Sequence, residues 1–402
     1  MITSSYILIL FWFLLMALFA HNVQVTEKKR IMGKERTIVK WWYAILVFAP
    51  LVIMAMNRSA AIGDTLVYIA GYRDMPSSFS GLPAYYNSLS KDKAYFMLAA
   101  LIKCVFGSNY RIYFCIVAII HAYAVIKIYR QYSPSFVMAV FLFVTSGDYI
   151  SWMENGTRQF LAVAICLLAT DFMLKKKYNT SFILYGVAIT FKLQAIFLLP
   201  AIGIIYLKNR DFSFKQFLWV PLVNFVLYIP AVIIGKPITS IFDAYLCQTK
   251  KYAYKTTLGY PNIYYFAEID RVDLIKPGII LTMILLFALM IFVLYTKGKL
   301  NDKGIIELSV TVLFLVTFFL PEMHDRYGYV AEVLSLVYFF MIEKDWLILL
   351  IINLNAFANY ASFLDGIPEE ILPIISIYQL VVVLYFTLNF IRHRLRQDYL
   401  TE

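Results

Sequence analysis

Two short charged clusters and a few isolated polar residues carry the reactive side chains of this chain. Asn57-Arg58-Ser59-Ala60-Ala61-Ile62-Gly63-Asp64-Thr65 follows directly on the apolar run 41–56, and Pro321-Glu322-Met323-His324-Asp325-Arg326 follows the apolar run 304–320. Arg158 and Gln159 open a third apolar run, and Lys192 and Gln194 interrupt a fourth. Charges are costly at such places, so they mark polar sites where a lipid-borne substrate meets water. Cations there suit a phosphate: a guanidinium grips two oxygens at once, whereas the Lys192 ammonium acts as a point charge. Each residue also has a plainer reading, because a long charged side chain at a helix end snorkels to the interface. That reading weakens for the set taken together.

The elements that must position these residues follow from composition. Of 402 residues, 61% are hydrophobic and 15% charged, more apolar surface than a soluble domain can hide. The chain is therefore expected to be an all-α polytopic membrane protein, one integral membrane domain over 1–402. The formal charge of +11 is spread over short loops rather than gathered on one basic face, which excludes nucleic acid as a partner. Cys104, Cys115 and Cys166 lie in apolar segments and Cys247 stands alone in a loop, so there is neither a disulfide framework nor a metal-binding pair. The first apolar run lacks a basic leader and a small-residue cleavage site, and reads as a retained helix.

About thirteen segments are candidates for membrane helices by length and apolarity. They cover 4–20, 41–56, 111–127, 135–150, 158–174, 179–191, 193–207, 216–234, 278–296, 304–320, 327–342, 346–362 and 371–391. The runs are continuous rather than alternating, which excludes a barrel. Placing 23–40 inside and alternating thereafter puts Lys127 and Arg130, Lys175 to Lys177, Lys208 and Arg210, Lys297 and Lys299, and Arg392 to Arg396 all inside. The N terminus is then outside and the C terminus cytoplasmic. The stretch 96–106, short and carrying Lys103, predicts a helix lying along the outer surface. Two large outer loops follow, 57–110 and 235–276. The outer face collects Arg58, Asp64, the turn 148–159, the Lys192/Gln194 break, the second loop and the 321–326 segment.

Two of these features carry further expectations. Half-length apolar runs flank Lys192 and Gln194, so a hairpin of short helices would place both at one vertex, where an ammonium suits a lipid-borne phosphate. The loop 235–276 holds Tyr245, Tyr252, Tyr254, Tyr260, Tyr264 and Tyr265 among Gln248, Asn262 and several lysines. Aromatic faces stack on sugar rings while amides bond their rim, which suits glycan binding, although tyrosine also enriches membrane interfaces without any ligand.

The segment from Arg58 to Pro200 resembles the EpsG family of exopolysaccharide polymerases, a Wzy-type group. The resemblance rests on Arg58 with Gly63-Asp64-Thr65 and Tyr68, on Ser90-Lys91-Asp92-Lys93-Ala94-Tyr95-Phe96, and most specifically on Asn155-Gly156-Thr157-Arg158-Gln159. The chain departs from that family at Phe191-Lys192-Leu193-Gln194-Ala195, where a histidine followed by small residues is usual. Its back half resembles bacterial GT-C proteins similar to glycosylphosphatidylinositol mannosyltransferases, through Phe191-Lys192-Leu193-Gln194-Ala195 on to Pro200, Gly235-Lys236-Pro237, Gln248, Tyr260-Pro261-Asn262-Ile263-Tyr264 and Met323-His324-Asp325-Arg326-Tyr327. There Asp325 stands where glutamate is usual. Both resemblances imply a GT-C-like membrane glycosyltransferase working on the outer face of a bacterial cell membrane.

Sugar transfer needs a carboxylate to take a proton and cations to stabilise the departing phosphate. Asp64 is the expected base, with helix capping before Thr65 as the competing reading. Arg58, Arg158, Lys192 and Arg326 are the expected phosphate ligands, with Gln159, Gln194, Gln248, Asn262 and Tyr264 as further substrate contacts. His324 is placed on the acceptor or leaving oxygen, and Asp325 orients or neutralises Arg326. The outer loops contain no Asp-x-Asp, so neither a metal nor another cofactor is expected. The expected function is polymerisation of undecaprenyl-diphosphate-linked repeat units into capsular or exopolysaccharide, with a flippase and a chain-length regulator of the same pathway as partners. Single-sugar addition from a polyprenyl monophosphate is the alternative within enzymes. Transport of a lipid-linked glycan is the alternative outside them, disfavoured because the polar residues gather on one face.

Overall fold

The computed structural model describes residues 2–31, 34–89, 92–133, 135–146, 149, 156–233, 235–241, 255–267, 271–363 and 367–396. Each of the thirteen apolar segments holds a helix among its described residues. The first seven helices are α1 (Ile2–Asn22), α2 (Trp41–Met56), α3 (Thr65–Asp74), α4 (Leu82–Ser88), α5 (Lys93–Phe106), α6 (Tyr110–Tyr132) and α7 (Phe136–Val144). Then come α8 (Thr157–Leu174), α9 (Tyr178–Phe191), α10 (Leu199–Asn209), α11 (Trp219–Ile233) and α12 (Ile275–Tyr295). The chain closes with α13 (Asp302–Phe319), α14 (Tyr329–Met341), α15 (Trp346–Phe363) and α16 (Leu372–Leu395). Among them α3, α4 and α5 belong to the first large loop, and α5 is the short helix expected there. Among the described residues five segments are long and apolar enough to cross a membrane: those of α6, α8, α12, α15 and α16. The protein is an all-α polytopic membrane protein.

Burial sorts the helices into a centre and a rim. In α13 every residue from Gly304 to Phe318 is buried, and in α14 every residue from Tyr329 to Phe339. Helix α14 packs on α13 and α15 and also on α6 and α8, and so joins the two halves of the bundle. At the rim, Ile280, Met283, Ile284 and Phe287 of α12 and Leu8, Phe11 and Leu14 of α1 are exposed. Exposed apolar stripes of this kind belong against lipid chains.

Sheet is confined to two small pairings among the described residues. Within the basic stretch 23–40, β1 (Thr26–Ile31) and β2 (Lys34–Val39) pair antiparallel. Val25, Ile31 and Ile38 are buried, while the four consecutive charged residues Glu27 to Arg30 of β1 are exposed. Arg130 at the end of α6 pins the hairpin, donating from Nε to the Val39 carbonyl (2.7 Å) and from Nη2 to Glu27 (3.0 Å). The second pairing joins β3 (Thr257–Leu258) and β4 (Met323–His324) in parallel and lies within the site.

Helix α9 and helix α10 form the expected hairpin. Helix α9 ends at Lys192, whose backbone turns extended (φ −155°, ψ 123°), and a 3-10 segment Leu193–Leu198 leads into α10. The far ends return to one another, because the Phe212 ring lies 4.7 Å from that of Tyr178. Lys192 and Gln194 therefore sit at the vertex.

Helix α9 also meets α11 closely at Gly186, where a Cβ would stand 2.9 Å from the Val223 side chain and 3.3 Å from the Val220 backbone. Small residues allow this approach between membrane helices. Gly186→Val is expected to cost about 1–3 kcal/mol by overpacking. A lowered thermal unfolding midpoint of the detergent-solubilised protein is the check.

Candidate functional site

The site begins where α2 stops. Asn57 leaves the helical region (φ −103°, ψ 20°), and the next side chain, Arg58, turns inward and is buried. Its Nε donates to the Ala55 carbonyl (3.0 Å), and its guanidinium lies over the Phe114 ring, 4.2 Å from the centroid. Burial lowers the Arg58 pKa to about 10, opposed by the surrounding Tyr113, Tyr95, Tyr68 and Tyr360 phenols. The group therefore keeps its charge at neutral pH inside an aromatic shell.

Asp64 precedes α3 but makes no capping hydrogen bond to it. Its carboxylate instead accepts from Arg326 Nη1 (3.1 Å), across 262 positions of sequence. Arg326 is held from behind by Asp325, whose Oδ1 lies 3.9 Å from its Nε and 3.6 Å from His324 Nδ1. Burial alone would lower the Arg326 pKa, but Asp325, with Tyr329 and Asp64, outweighs it and raises it. Asp325 is itself buried, and its Oδ2 has no hydrogen-bond partner among the described residues. The backbone around it is fixed on two sides. The Asp325 amide donates to the Leu258 carbonyl (3.2 Å), continuing the β3–β4 pairing, and the Asn359 amide donates to the Asp325 carbonyl (2.5 Å).

Arg158 enters from the start of α8. Its Nη1 donates to Asp92 Oδ2 (2.5 Å) and its Nε to the Tyr68 hydroxyl (3.3 Å). Asp92 holds a left-handed backbone (φ 49°), a conformation aspartate tolerates better than most residues. Beneath it the hydroxyls of Tyr95, Tyr113 and Thr157 bond to one another. Tyr68 is the common neighbour of the three arginines: Arg158 bonds it, and Arg58 and Arg326 both lie within its electrostatic reach. Three guanidiniums from segments about 100 and 170 positions apart are thus linked to one phenol, Arg158 by a hydrogen bond and Arg58 and Arg326 by longer-range charge, and Asp64 pairs with Arg326.

The Lys192 vertex lies between these groups. The preceding Phe191 meets the Tyr95 ring (6.4 Å), and Phe197 meets the Tyr327 ring (6.1 Å). Gln159 is buried, and the Oε1 atoms of Gln159 and Gln194 have no hydrogen-bond partner among the described residues. These acceptors suit hydroxyl or amide donors of a bound molecule.

The second loop supplies structure at the residues described. Asn262 donates to Thr257 Oγ1 (3.1 Å) and accepts from the Tyr264 amide (3.1 Å), and the Tyr264 hydroxyl donates to the Phe319 carbonyl (2.7 Å). Tyr264 holds the loop against α13, and Asn262 braces the loop from within. Gln248 lies outside the described residues, as do Tyr245, Tyr252 and Tyr254. Among the described residues no three His, Cys, Asp or Glu side chains gather as a metal cage.

Sequence reasoning missed Asn359 and Gln379. Gln379 donates to the Tyr260 hydroxyl (3.0 Å) and accepts from Asn355 (3.1 Å), so amides of α15 and α16 support the loop from within the bundle. The signal was present as Asn353, Asn355 and Asn359 within one apolar run, since buried amides in such a run mark polar contacts. Asn359→Ala is expected to lower activity roughly 2- to 10-fold, the worth of one buried hydrogen bond. Faster amide exchange over 323–327 in the variant would locate the effect in that segment.

Fold and site together define a polytopic membrane protein with an arginine-rich polar centre at one end of its bundle. Residues 41–364 match the model of the EpsG family, and the chain belongs to that family. It is accordingly an exopolysaccharide polymerase-type membrane protein. The match runs from the start of α2 past the end of α15, and so spans both the Arg58–Asp64 and the His324–Arg326 segments. No curated protein was found to match the chain.

Proposed function

We propose that this protein polymerises polyprenyl-diphosphate-linked oligosaccharide repeat units on the outer face of a bacterial membrane. The observation that carries this reading is the pairing of Arg326 with the partly exposed carboxylate of Asp64, with Arg158 bonded to Tyr68 and Arg58 and Arg326 within electrostatic range of the same phenol. A diphosphate carries several charges, and three guanidiniums from separate elements match it better than they match a monophosphate. The outer-face assignment rests on the distribution of Lys and Arg, because the site lies at the end of the bundle opposite the basic loops.

In the proposed reaction a hydroxyl of the acceptor repeat attacks the anomeric carbon bonded to the diphosphate. A new C–O bond forms, the anomeric C–O bond to phosphate breaks, and the hydroxyl proton passes to Asp64. The polyprenyl diphosphate leaves with the bonding electron pair, its charge met by the guanidiniums. Arg326 couples the two halves: it bonds Asp64 in the resting structure, and transfer of its hydrogen bond to an arriving phosphate frees the carboxylate to accept a proton. Asp325 and His324 hold Arg326 and border the leaving oxygen.

The test is deletion of the gene with complementation by wild type or Asp64→Asn, followed by gel analysis of surface and lipid-linked glycans. Single lipid-linked repeats without long chains are expected from both the deletion and the variant. Long chains lacking one sugar would instead indicate monosaccharide transfer, and unchanged chains with Asp64→Asn would indicate transport.

A further inference from the structure

The opposite end of the bundle carries a second cationic site. A cavity of about 330 Å³ lies under the β1–β2 hairpin. It is lined by Lys29, Arg30, Lys127, Arg130, Lys175 and Lys177, with Gln131, Trp41 and the isoleucines of the hairpin completing the wall. Among the described residues no acidic side chain lines it. Two carboxylates stand just behind: buried Asp171 serves both Lys175 (2.7 Å) and Lys127 (3.4 Å), and Glu27 serves Arg130 (3.0 Å). Glu35 stands across the hairpin from Arg30, and the six cations still outnumber the carboxylates beside them.

Its position is set by three helices that also build the first site. Helix α2 runs from Trp41 at the cavity to Arg58, α6 from Lys127 and Arg130 back to Tyr113, and α8 from Lys175 back to Arg158. The 17 helical steps from Arg158 to Lys175 span about 26 Å at ~1.5 Å each, close to the thickness of a hydrocarbon core. Trp41 stacks on Tyr123 (5.8 Å, 7° between planes) at this level, and aromatic residues of this kind mark the headgroup layer.

The place is built rather than merely basic. The hairpin roof is pinned by Arg130 to Val39 and Glu27 and by Arg36 to the Gln131 carbonyl (3.1 Å). Lys175 is tied to Asp171 and to Gln131 Oε1 (2.5 Å). Burial lowers the Lys175 pKa, and among the charges around it Asp171 raises it while Lys127 and Lys177 lower it, as crowding of like charge requires. An anion placed among these groups relieves that repulsion.

We propose that this cavity binds a phosphate-bearing anion at the headgroup level of the leaflet facing away from the Arg58–Asp64–Arg326 site. The mixture of a cationic rim with the apolar Ile31, Ile38 and Trp41 wall fits a phosphodiester attached to an apolar body. The site is independent of the transfer reaction, since none of its residues belongs to the site at the other end.

Native mass spectrometry of the full-length protein, released from bilayers of phosphatidylglycerol or phosphatidylcholine, tests this. Wild type is expected to retain phosphatidylglycerol and not phosphatidylcholine. Lys29→Gln with Lys177→Gln, both exposed and so safe for folding, is expected to weaken retention roughly 25-fold, at about fivefold per cation. Lys215→Gln with Lys297→Gln, an equal loss of charge away from the cavity, is expected to leave retention as in wild type. Equal retention of the two lipids, or equal weakening by the two double variants, overturns the proposal. Displacement of phosphatidylglycerol by excess inorganic phosphate would assign the site to a soluble phosphate, and persistence would assign it to a lipid headgroup; both outcomes uphold the phosphate chemistry.

Discussion

Asp64→Asn is expected to slow chain growth by roughly 10²–10⁴-fold, the contribution of a positioned general base. The amide keeps the size of the carboxylate and can still accept a hydrogen bond from Arg326, but it cannot take a proton from the attacking hydroxyl. The effect should therefore fall on the chemical step rather than on folding. Asp64 makes no capping hydrogen bond to α3, so loss of a helix cap does not account for a large defect. The measurement is the rate of polymer formation in proteoliposomes supplied with lipid-linked repeats, beside the thermal midpoint of the same preparation. A variant that polymerises within fivefold of wild type would remove Asp64 from the proposed mechanism.

Arg326→Ala is expected to lower the rate roughly 10²–10³-fold, the range seen when one donor to a developing negative charge is removed. Arg326→Lys should recover little of it. The guanidinium touches Asp64 with Nη1 and faces Asp325 with Nε, and an ammonium cannot hold two carboxylates in that fixed geometry. In the alanine variant Asp325 loses its cation while remaining buried, so some loss of thermal stability is expected as well. The lysine variant separates these effects, because it restores a charge near Asp325 without the planar fork. Equal activity of Arg326→Lys and wild type would mean that Arg326 serves as a point charge only.

Much of this architecture was legible in the chain. A run such as Trp41–Met56 has no charged residue, and its backbone can be satisfied in lipid only by a helix, so its boundaries are written in composition. The same reasoning located the Lys192 break, because neither apolar half could span a bilayer alone. The hairpin at 26–39 escaped notice, since four consecutive exposed charged residues leave β1 without strand alternation and its partner is the basic end of α6 rather than a sheet. The roles of Asn262 and Tyr264 were equally hidden. Their residue types suit sugars, but in the fold their polar atoms are used to bind Thr257, the loop backbone and the Phe319 carbonyl.

By itself the sequence determined the class of molecule and the identity of its unusual polar residues, because the cost of placing charge beside apolar segments depends only on local composition. It also gathered Arg58, Asp64, Arg158, Lys192 and Arg326 at one end of the bundle, by counting helices. Only the tertiary structure decided which of them touch. Asp64 and Arg326 are 262 positions apart and pair because α14 crosses between α6, α8 and α13, and Asp92 meets Arg158 because α5 folds back on α9. Such partnerships depend on helix packing in three dimensions, and periodicity along one segment carries no record of its neighbour.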